Sequence, residues 1–356
     1  MASRRTHRGS RDFRYAPSTM MHPPLLFQPI FREKVWGGRR LADRLGKSLP
    51  EGVRIGESWE LADLPDSIPD GRSTIANGPW RGRTLREVLH EQREWLMGSA
   101  ELTEEGGFPL LIKYLDAREN LSVQVHPDAD YVRAHPEAHL KSEAWVVIDA
   151  EPGAVIYKGL KPGVTEADLR AHAGTPAIRE DLVAVPAVPG ACHYLPSGTV
   201  HALGAGVLVA EVQTPSDTTF RIDDWGRTGR ELHLEEAIEC IRFGVDGGDA
   251  GEPSPPPIEV GSTRTFELVR TPYFGLERIE LRSAGVLEIV TSGMPEVWMI
   301  LSGSGGIEVA GEPMNAMERG QTWLIPASLT GASARSGTGL EFLRVSLPSP
   351  VEGALA

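Results

Sequence analysis

The chain has 356 residues, of which 40% are hydrophobic, and it contains 39 glycines and 28 prolines. This length allows two ordinary domains, and the glycine and proline content favours turn-rich β structure over helical bundles. The formal net charge of −13 argues against a nucleic-acid partner, because phosphate backbones are bound through clustered cations. No apolar run has transmembrane length, and two cysteines are too few for a disulfide framework. We therefore expect no membrane partner and a reducing, cytoplasmic location.

The predicted elements begin after an arginine-rich extension, residues 1–24, which has no apolar core. It matches no secretory signal and is interpreted as disordered, with a transit peptide as the weaker alternative. The run 83–96 has helical apolar spacing behind Thr84 as N-cap, and the TEAD sequence from Thr165 is typical of a capping box. A third helix is predicted over 234–243. The other segments are short β-rich runs between glycines and prolines, so we expect a mainly β chain with a few added helices.

One break in composition divides the chain. The run DGGDAGEPSPPP, residues 246–257, can form neither a helix nor a central strand, and it is interpreted as a linker. It separates a predicted catalytic domain, 25–245, from a second domain, 258–348, which a tail, 349–356, follows. The second domain repeats the first, since EVWMILSGSG aligns with EAWVVIDAEP and both carry tryptophan at the third position.

A turn-and-strand motif repeats in the same way. The segment from Gly190 to His201 has the spacing Gly-x5-Pro-x-Gly-x2-His, which resembles the second signature segment of cupin barrels. The Gly-x5-Pro spacing returns from Gly320, where Gly331 stands in the place of the histidine. All ten histidines lie at or before His233. The resemblance implies two cupin (jelly-roll β-barrel) domains, of which only the first has imidazoles for a metal site.

Four side chains of the first domain are candidate metal ligands. Gln124 and His126, in LSVQVHPDAD, are two residues apart, and on a strand they face the same side. Glu143 and His201 follow. Two imidazoles, a carboxylate and an amide suit Zn²⁺, at one ion per chain, although Fe²⁺ or Mn²⁺ accepts similar ligands. The alternative is that the histidines are unrelated polar residues and that Gln124 only hydrogen-bonds its neighbours.

Two further charged groups are expected near these ligands. Glu211 and Arg221 are separated by a turn, which would bring both toward the barrel mouth that holds His201. There a carboxylate can transfer protons and an arginine can stabilise an oxyanion or hold phosphate. The alternative is a structural Glu–Arg pair at the rim. Lys141 shares a strand face with Glu143 if that segment is extended, against the alternative of a solvated lysine.

From about residue 25 to 348 the sequence resembles the type I mannose-6-phosphate isomerases, in their compact bacterial form. The matching stretches are VWGGRRLADRLG, IGESWELAD, ANGPWRGRTL, FPLLIKYLDARENLSVQVHPDADY, KSEAWVVIDA, LPSGTVHALGAG and SDTTFRIDDWGR. This resemblance implies a zinc enzyme that interconverts mannose 6-phosphate and fructose 6-phosphate through an enediol. By matched position, the resemblance implies that Gln124, His126, Glu143 and His201 form the zinc shell and that Arg221 is the catalytic arginine. It also implies that Glu211 is a candidate base and that Ser122 and Lys141 lie near the ring or phosphate.

Two other functions remain open from the sequence. A non-catalytic sugar-phosphate-binding or regulatory cupin would keep the pocket without needing Glu211, Arg221 and Lys141 together. An Fe²⁺ cupin oxygenase would have a His-x-His pair, whereas this chain has Gln124-x-His126. The exact aldose, the native metal and the oligomeric state are left open by the sequence.

Overall fold

The computed structural model describes residues 22–244 and 256–348. Within these ranges the chain forms 21 strands and seven short helices, so the predicted mainly β fold is confirmed. The predicted tail, most of the predicted linker and the predicted N-terminal extension up to residue 21 lie outside the described residues. None of the helices in the described ranges has the length and apolar composition needed to span a membrane. Cys192 and Cys240 are both free thiols.

The strands of the first half are β1 (Leu25–Gln28), β2 (Ile30–Gly38), β3 (Ile55–Leu61), β4 (Thr74–Ile75), β5 (Leu111–Ala117), β6 (Val123–Val125), β7 (Glu143–Ala150), β8 (Val155–Leu160), β9 (Leu182–Pro186), β10 (Cys192–Leu195), β11 (His201–Leu203), β12 (Val207–Gln213) and β13 (Phe220–Asp223). The helices are α1 (Arg40–Leu45), α2 (Leu85–Glu91), α3 (Arg93–Met97), α4 (Ala129–Ala134), α5 (Glu166–His172), α6 (Ile178–Asp181) and α7 (Leu234–Cys240). The second half contributes β14 (Ile258–Val260), β15 (Thr263–Arg270), β16 (Gly275–Leu281), β17 (Val286–Glu288), β18 (Glu296–Val309), β19 (Asn315–Met317), β20 (Thr322–Ile325) and β21 (Ala332–Ser346).

The first half is a barrel of two antiparallel sheets. One sheet has the order β10-β7-β12-β5-β3-β2 and the other has the order β13-β6-β11-β8-β9. Alternate apolar side chains of both sheets meet in one buried cluster, which includes Trp145 from the first sheet and Leu203 from the second. Because strand side chains alternate, the same inward faces that form this core also carry polar groups at the barrel mouth.

The second half is built on one ten-stranded sheet, with the main order β14-β15-β16-β21-β18-β20-β1-β4. Its two long strands, β18 and β21, pair along most of their length, and each also pairs with a short strand. Trp298 is buried inside this unit, as Trp145 is buried in the first barrel. The aligned tryptophans therefore both lie in cores.

The two halves are joined by pairing and by packing. Strand β1, at the start of the predicted first domain, pairs with β20 of the second half. The backbone N–H groups of Ala327 and Ser328 donate to the carbonyl oxygens of Leu96 and Trp95, at 3.0 and 3.1 Å. A large buried cluster contains side chains from both halves. The predicted domain boundaries remain a prediction, and β1 belongs to the sheet of the second half.

The helix starts follow the predicted capping chemistry. Thr84 and Glu87 form a reciprocal capping box at α2, and Thr165 and Asp168 form another at α5. The single helix predicted over 83–96 is instead two helices, because Gln92 leaves helical geometry between α2 and α3. The third predicted helix ends at Cys240, earlier than expected.

Candidate active site

Three of the predicted ligands meet at the mouth of the first barrel. His126 follows β6, while Glu143 and His201 begin β7 and β11. The Nε2 atoms of His126 and His201 lie 3.6 and 3.3 Å from the two Glu143 carboxylate oxygens. One donor atom of each residue lies within 4.8 Å of the others, and all three side chains are buried. Two antiparallel pairings, β11 with β6 and β10 with β7, bring these separate segments together.

The two imidazoles are turned so that one nitrogen of each faces the carboxylate. His126 Nδ1 lies 3.0 Å from the Thr218 carbonyl oxygen, and His201 Nδ1 lies 2.8 Å from that of Thr199. Because a carbonyl only accepts, each Nδ1 carries the hydrogen, and each Nε2 presents its lone pair toward Glu143. Carbonyl partners on the remote nitrogen are the usual support of metal-binding histidines.

Two ligand atoms of this triad are buried without a hydrogen-bond partner among the described residues. They are His126 Nε2 and Glu143 Oε1, whereas Glu143 Oε2 lies 2.9 Å from Lys141 Nζ. Buried polar atoms are nearly always paired in folded proteins, so a group of such atoms facing one point requires an explanation. Two nitrogens and a carboxylate are a donor set that fits a divalent metal such as zinc.

Gln124 contacts this triad from the neighbouring strand position. Its Nε2 lies 3.3 Å from His201 Nε2, and its Oε1 accepts a hydrogen bond of 3.2 Å from Ser122 Oγ. A half-turn of the amide would aim Oε1 at the triad, and the Ser122 hydroxyl could then accept from Nε2. The position of Gln124 is therefore compatible with metal ligation, which remains a prediction.

Lys141 lies beside Glu143, as the shared strand face predicted. The side chain is buried, and its Nζ is 2.9 Å from Glu143 Oε2, so the alternative of a solvated lysine is wrong. Burial by itself raises the pKa of Glu143, but the adjacent Lys141 ammonium outweighs it and holds that pKa well below its usual range. Burial, followed by the Lys141 charge, lowers the pKa of His126 well below its usual range. The neutral imidazole that metal binding requires is thus favoured.

Glu211 lies on the adjacent strand β12, and its ion-pair partner is Lys113 instead of Arg221. Its Oε2 is 2.9 Å from Lys113 Nζ, and its Oε1 accepts a 2.9 Å hydrogen bond from Trp145 Nε1. Lys113 also donates to Gln213 Oε1 at 2.6 Å. The alternative of a structural pair between Glu211 and Arg221 is therefore wrong, because Lys113 takes that place.

Arg221 reaches the same region from β13, which pairs with β6. Its Nη1 donates to the Glu231 carbonyl oxygen at 2.6 Å, while its buried Nε has no hydrogen-bond partner among the described residues. Burial, together with the nearby charge of Arg230, lowers the pKa of Arg221. An arginine with an unpaired buried N–H is placed to bind an additional acceptor.

A cavity of about 280 Å³ lies next to the triad, is lined by Gln124, Lys141, Glu211 and Arg221, and has more cations than anions in its lining. Its charged lining residues are Lys34, Lys113, Lys141, Arg221 and Arg230 against Glu57, Glu211 and Asp217; Ser122 and Gln124 also line it. This local balance is opposite to the net charge of the chain, and it favours an anionic ligand. A cavity of about 330 Å³, bordered by 159–164 and 196–200, has no carboxylate and none of the predicted site residues in its lining, so we place the chemistry in the smaller one.

Comparison with known proteins gives the family. Residues 25–146 match the family model of the type I phosphomannose isomerase catalytic domain. The chain is 34% identical to the mannose-6-phosphate isomerase ManA of Bacillus subtilis over 322 residues, which are 87% of this chain and 95% of the relative. The chain belongs to the type I phosphomannose isomerases. The predicted family and isomerase class are therefore confirmed.

Other relatives agree in sequence and in fold. The chain is 33% identical to the mannose-6-phosphate isomerase of Streptococcus mutans, over 87% of this chain and 94% of the relative. The crystal structure of the Bacillus subtilis mannose 6-phosphate isomerase superposes with a TM-score of 0.79 at 31% identity, covering 91% of this chain and 99% of the other. The apo form of the Salmonella typhimurium enzyme, at 17% identity and a TM-score of 0.69, supports the fold alone.

The sequence did not point to five charged groups in the cavity wall, which are Lys34, Glu57, Lys113, Asp217 and Arg230. Glu57 and Trp59 face the cavity from β3, and the Glu57 carboxylate is 2.9 Å from Lys34 Nζ. Burial raises the pKa of Glu57, but Lys34, Lys113 and the indole N–H of Trp59 lower it to about 2. A charged residue within the buried run LLIKYL was the signal that could have identified Lys113.

Proposed function

We propose that this chain is a zinc-dependent aldose–ketose isomerase that interconverts D-mannose 6-phosphate and D-fructose 6-phosphate through an enediol, in the cytoplasm and with one zinc ion per chain. The observation that carries the proposal is the buried triad of His126, Glu143 and His201, next to a cavity whose lining has more cations than anions. The names of the relatives supply the substrate, and the excess of cations in the cavity matches a sugar phosphate.

His126, Glu143 and His201 would hold the metal, with Gln124 as the fourth protein ligand. A divalent ion bound there would act as a Lewis acid on oxygens of the sugar. Both imidazoles are already oriented by carbonyl partners, and Lys141 keeps the Glu143 carboxylate charged, so little reorganisation of these side chains is needed.

We assign the proton transfer to Glu211. In the forward direction this carboxylate would take the proton from carbon 2 of the open-chain aldose and return it to carbon 1 of the enediol, while the hydroxyl proton on oxygen 2 passes to oxygen 1, which gives the ketose. Trp145 and Lys113 fix its two oxygens, so the carboxylate is held in one orientation at the cavity wall. Its burial excludes bulk water from the transferred proton.

The remaining groups would bind and orient the sugar. The guanidinium of Arg221 would stabilise the negative charge that develops on oxygen as the carbon-bound proton leaves. Lys141 would assist ring opening, because its ammonium lines the cavity and can donate to the ring oxygen. Ser122, also in the lining, would hydrogen-bond a sugar hydroxyl or a phosphate oxygen.

The test is a coupled assay of the purified protein on a panel of phosphorylated and free aldoses, together with metal analysis. We expect turnover of mannose 6-phosphate that is lost on chelation and restored by zinc. Glu211→Gln should retain the metal and lose turnover. If the wild-type protein binds sugar phosphates but turns over none of them, the non-catalytic binding function replaces this proposal.

A further inference from the structure

A buried carboxylate at the edge of the cavity orients two arginines. Asp224, which follows β13, is almost completely buried. Arg230 Nε donates to Asp224 Oδ2 at 2.8 Å, and Arg230 Nη2 donates to Oδ1. Arg227 Nη2 donates to the same Oδ1 at 2.7 Å. Two guanidinium groups therefore share this one carboxylate.

The two arginines differ in what they face. Arg227 points away from the cavity, since its Nη2 also donates to the Asn120 carbonyl oxygen at 2.8 Å and its Nη1 lies 3.8 Å from Glu119. Arg230 lines the cavity together with Arg221. Its Nη1 has no hydrogen-bond partner among the described residues, because Asp224 engages only Nε and Nη2.

We infer that Arg230, held by Asp224, is the residue that makes this site select 6-phosphorylated over unphosphorylated sugars. This inference rests on the proposed function and extends it to the choice of substrate. Arginine binds phosphate through charge-assisted hydrogen bonds, and the ion pair to Asp224 fixes the guanidinium before the ligand arrives. Arg221 lines the same cavity, but its unpaired N–H is assigned above to the oxygen that becomes charged during proton transfer. Lys34, also in the lining, is already paired with Glu57.

The other cations of the cavity are less suited to this task. Lys113 is paired with Glu211 and Lys141 with Glu143, each at 2.9 Å, so both charges are neutralised inside the protein. Asp224 is instead shared between Arg230 and Arg227, and Arg230 keeps its Nη1 free of protein partners among the described residues. A phosphate oxygen could accept a charge-assisted hydrogen bond from that N–H.

The experiment compares Arg230→Gln with Arg227→Gln, a matched control that loses the same charge from the same carboxylate but lies outside the cavity lining. For each variant, the kcat and KM for mannose 6-phosphate, the activity on free mannose, and the Kd of inorganic phosphate by titration calorimetry are measured. We expect Arg230→Gln to raise the KM and the phosphate Kd about 10- to 100-fold, as for loss of a charged hydrogen bond, with kcat changed only a few-fold. Activity on free mannose should stay unchanged. Arg230→Lys should have a KM and a phosphate Kd between those of the wild type and those of Arg230→Gln.

Three results would overturn the inference. They are an unchanged KM and phosphate Kd in Arg230→Gln, an equal loss of activity on phosphorylated and free sugar, and an Arg227→Gln variant that behaves like Arg230→Gln. Metal content and thermal unfolding are measured to check that the variants are folded. If Arg230→Gln does not fold, the comparison is made with Arg230→Lys, which keeps the charge. If the wild-type protein turns over no sugar phosphate, the proposed function fails, while the phosphate titration still decides the role of Arg230.

Discussion

Removing Lys141 should destabilise the metal-free protein and at the same time tighten zinc binding. In the structure its ammonium lies 2.9 Å from a Glu143 carboxylate oxygen, and both side chains are buried. Lys141→Met keeps most of the side-chain volume and removes the charge. Glu143 is then left as a buried anion whose nearest remaining partners are neutral imidazoles.

The magnitude follows from the burial of the pair. Breaking a buried ion pair by removing one partner costs about 3–5 kcal/mol, because the remaining charge is uncompensated. A bound divalent ion supplies positive charge to the same carboxylate, so we expect the cost in the zinc-loaded protein to be smaller by about 2 kcal/mol. By linkage, the same 2 kcal/mol must appear as tighter zinc binding, roughly 30-fold in Kd.

Zinc affinity is measured by competition with a chromogenic chelator, and stability by denaturant unfolding of the metal-free protein. Lys113→Met is the matched control, because that lysine is equally buried and pairs with Glu211 at the same 2.9 Å. It should lose similar stability but change the zinc Kd by no more than a few-fold. If Lys141→Met binds zinc no more tightly than the wild type, or if both variants change zinc affinity equally, Glu143 is not shared between Lys141 and a metal, and the reasoning fails.

Four further outcomes are expected. His126→Ala and His201→Ala should each lose both zinc, measured by metal analysis, and turnover; full zinc occupancy in the double variant would contradict the site. Arg221→Lys should lower kcat by orders of magnitude with zinc content intact, because the fork is lost and the charge kept; a change in KM alone would make it a phosphate anchor. Burial and Lys158 lower the pKa of His193 to about 4. Between pH 4 and 6.5 the unfolded chain therefore binds more protons than the folded chain, and the free energy of unfolding falls as the pH decreases, by about 3 kcal/mol at most. His193→Leu should flatten that slope in unfolding experiments, and an unchanged slope would refute the cause. Glu296→Gln, in the second half, should leave turnover unchanged in the coupled assay, and a loss of turnover would place chemistry there.

Local features of the fold were predictable because local chemistry decides them. Threonine with a carboxylate three residues later marked the starts of α2 and α5, and the spacing around Gly190 marked the turn before β11. The pairing of β1 with β20 was not predictable, since it joins strands that are almost 300 residues apart and no local pattern encodes the partner. The break at Gln92 was not predictable either, because glutamine is a good helix former.

The candidate site divides in the same way. Gln124 and His126 could be placed on one face because strand side chains alternate, and the turn motif located His201. Lys113 and Arg230 could not be placed, because each reaches the cavity from a segment with no motif of its own. A single charge in a buried strand indicates a buried partner, but the sequence does not say which carboxylate that partner is.

The registers of the two halves place their mouth residues at corresponding positions. In the first barrel Glu211 lies opposite both Lys113 and Trp145 in the neighbouring strands. In the second half Arg344 lies opposite both Glu277 and Trp298. The ion pair is therefore kept with its charges exchanged, because the cation now lies on the strand that corresponds to β12.

This exchange explains why the second half has no metal site among its described residues. Its carboxylate at the position of Glu143 is Glu296, which accepts a 2.8 Å hydrogen bond from Trp298 Nε1. Burial raises the pKa of Glu296, although Arg344 partly opposes this. One oxygen of Glu296 is already engaged, and no imidazole lies beside it among the described residues. Because Arg344 also places a cation across the mouth, this position lacks both the ligands and the charge balance that a divalent ion needs. The second half can therefore have kept the barrel frame, and the sheet that receives β1, without keeping chemistry at its mouth.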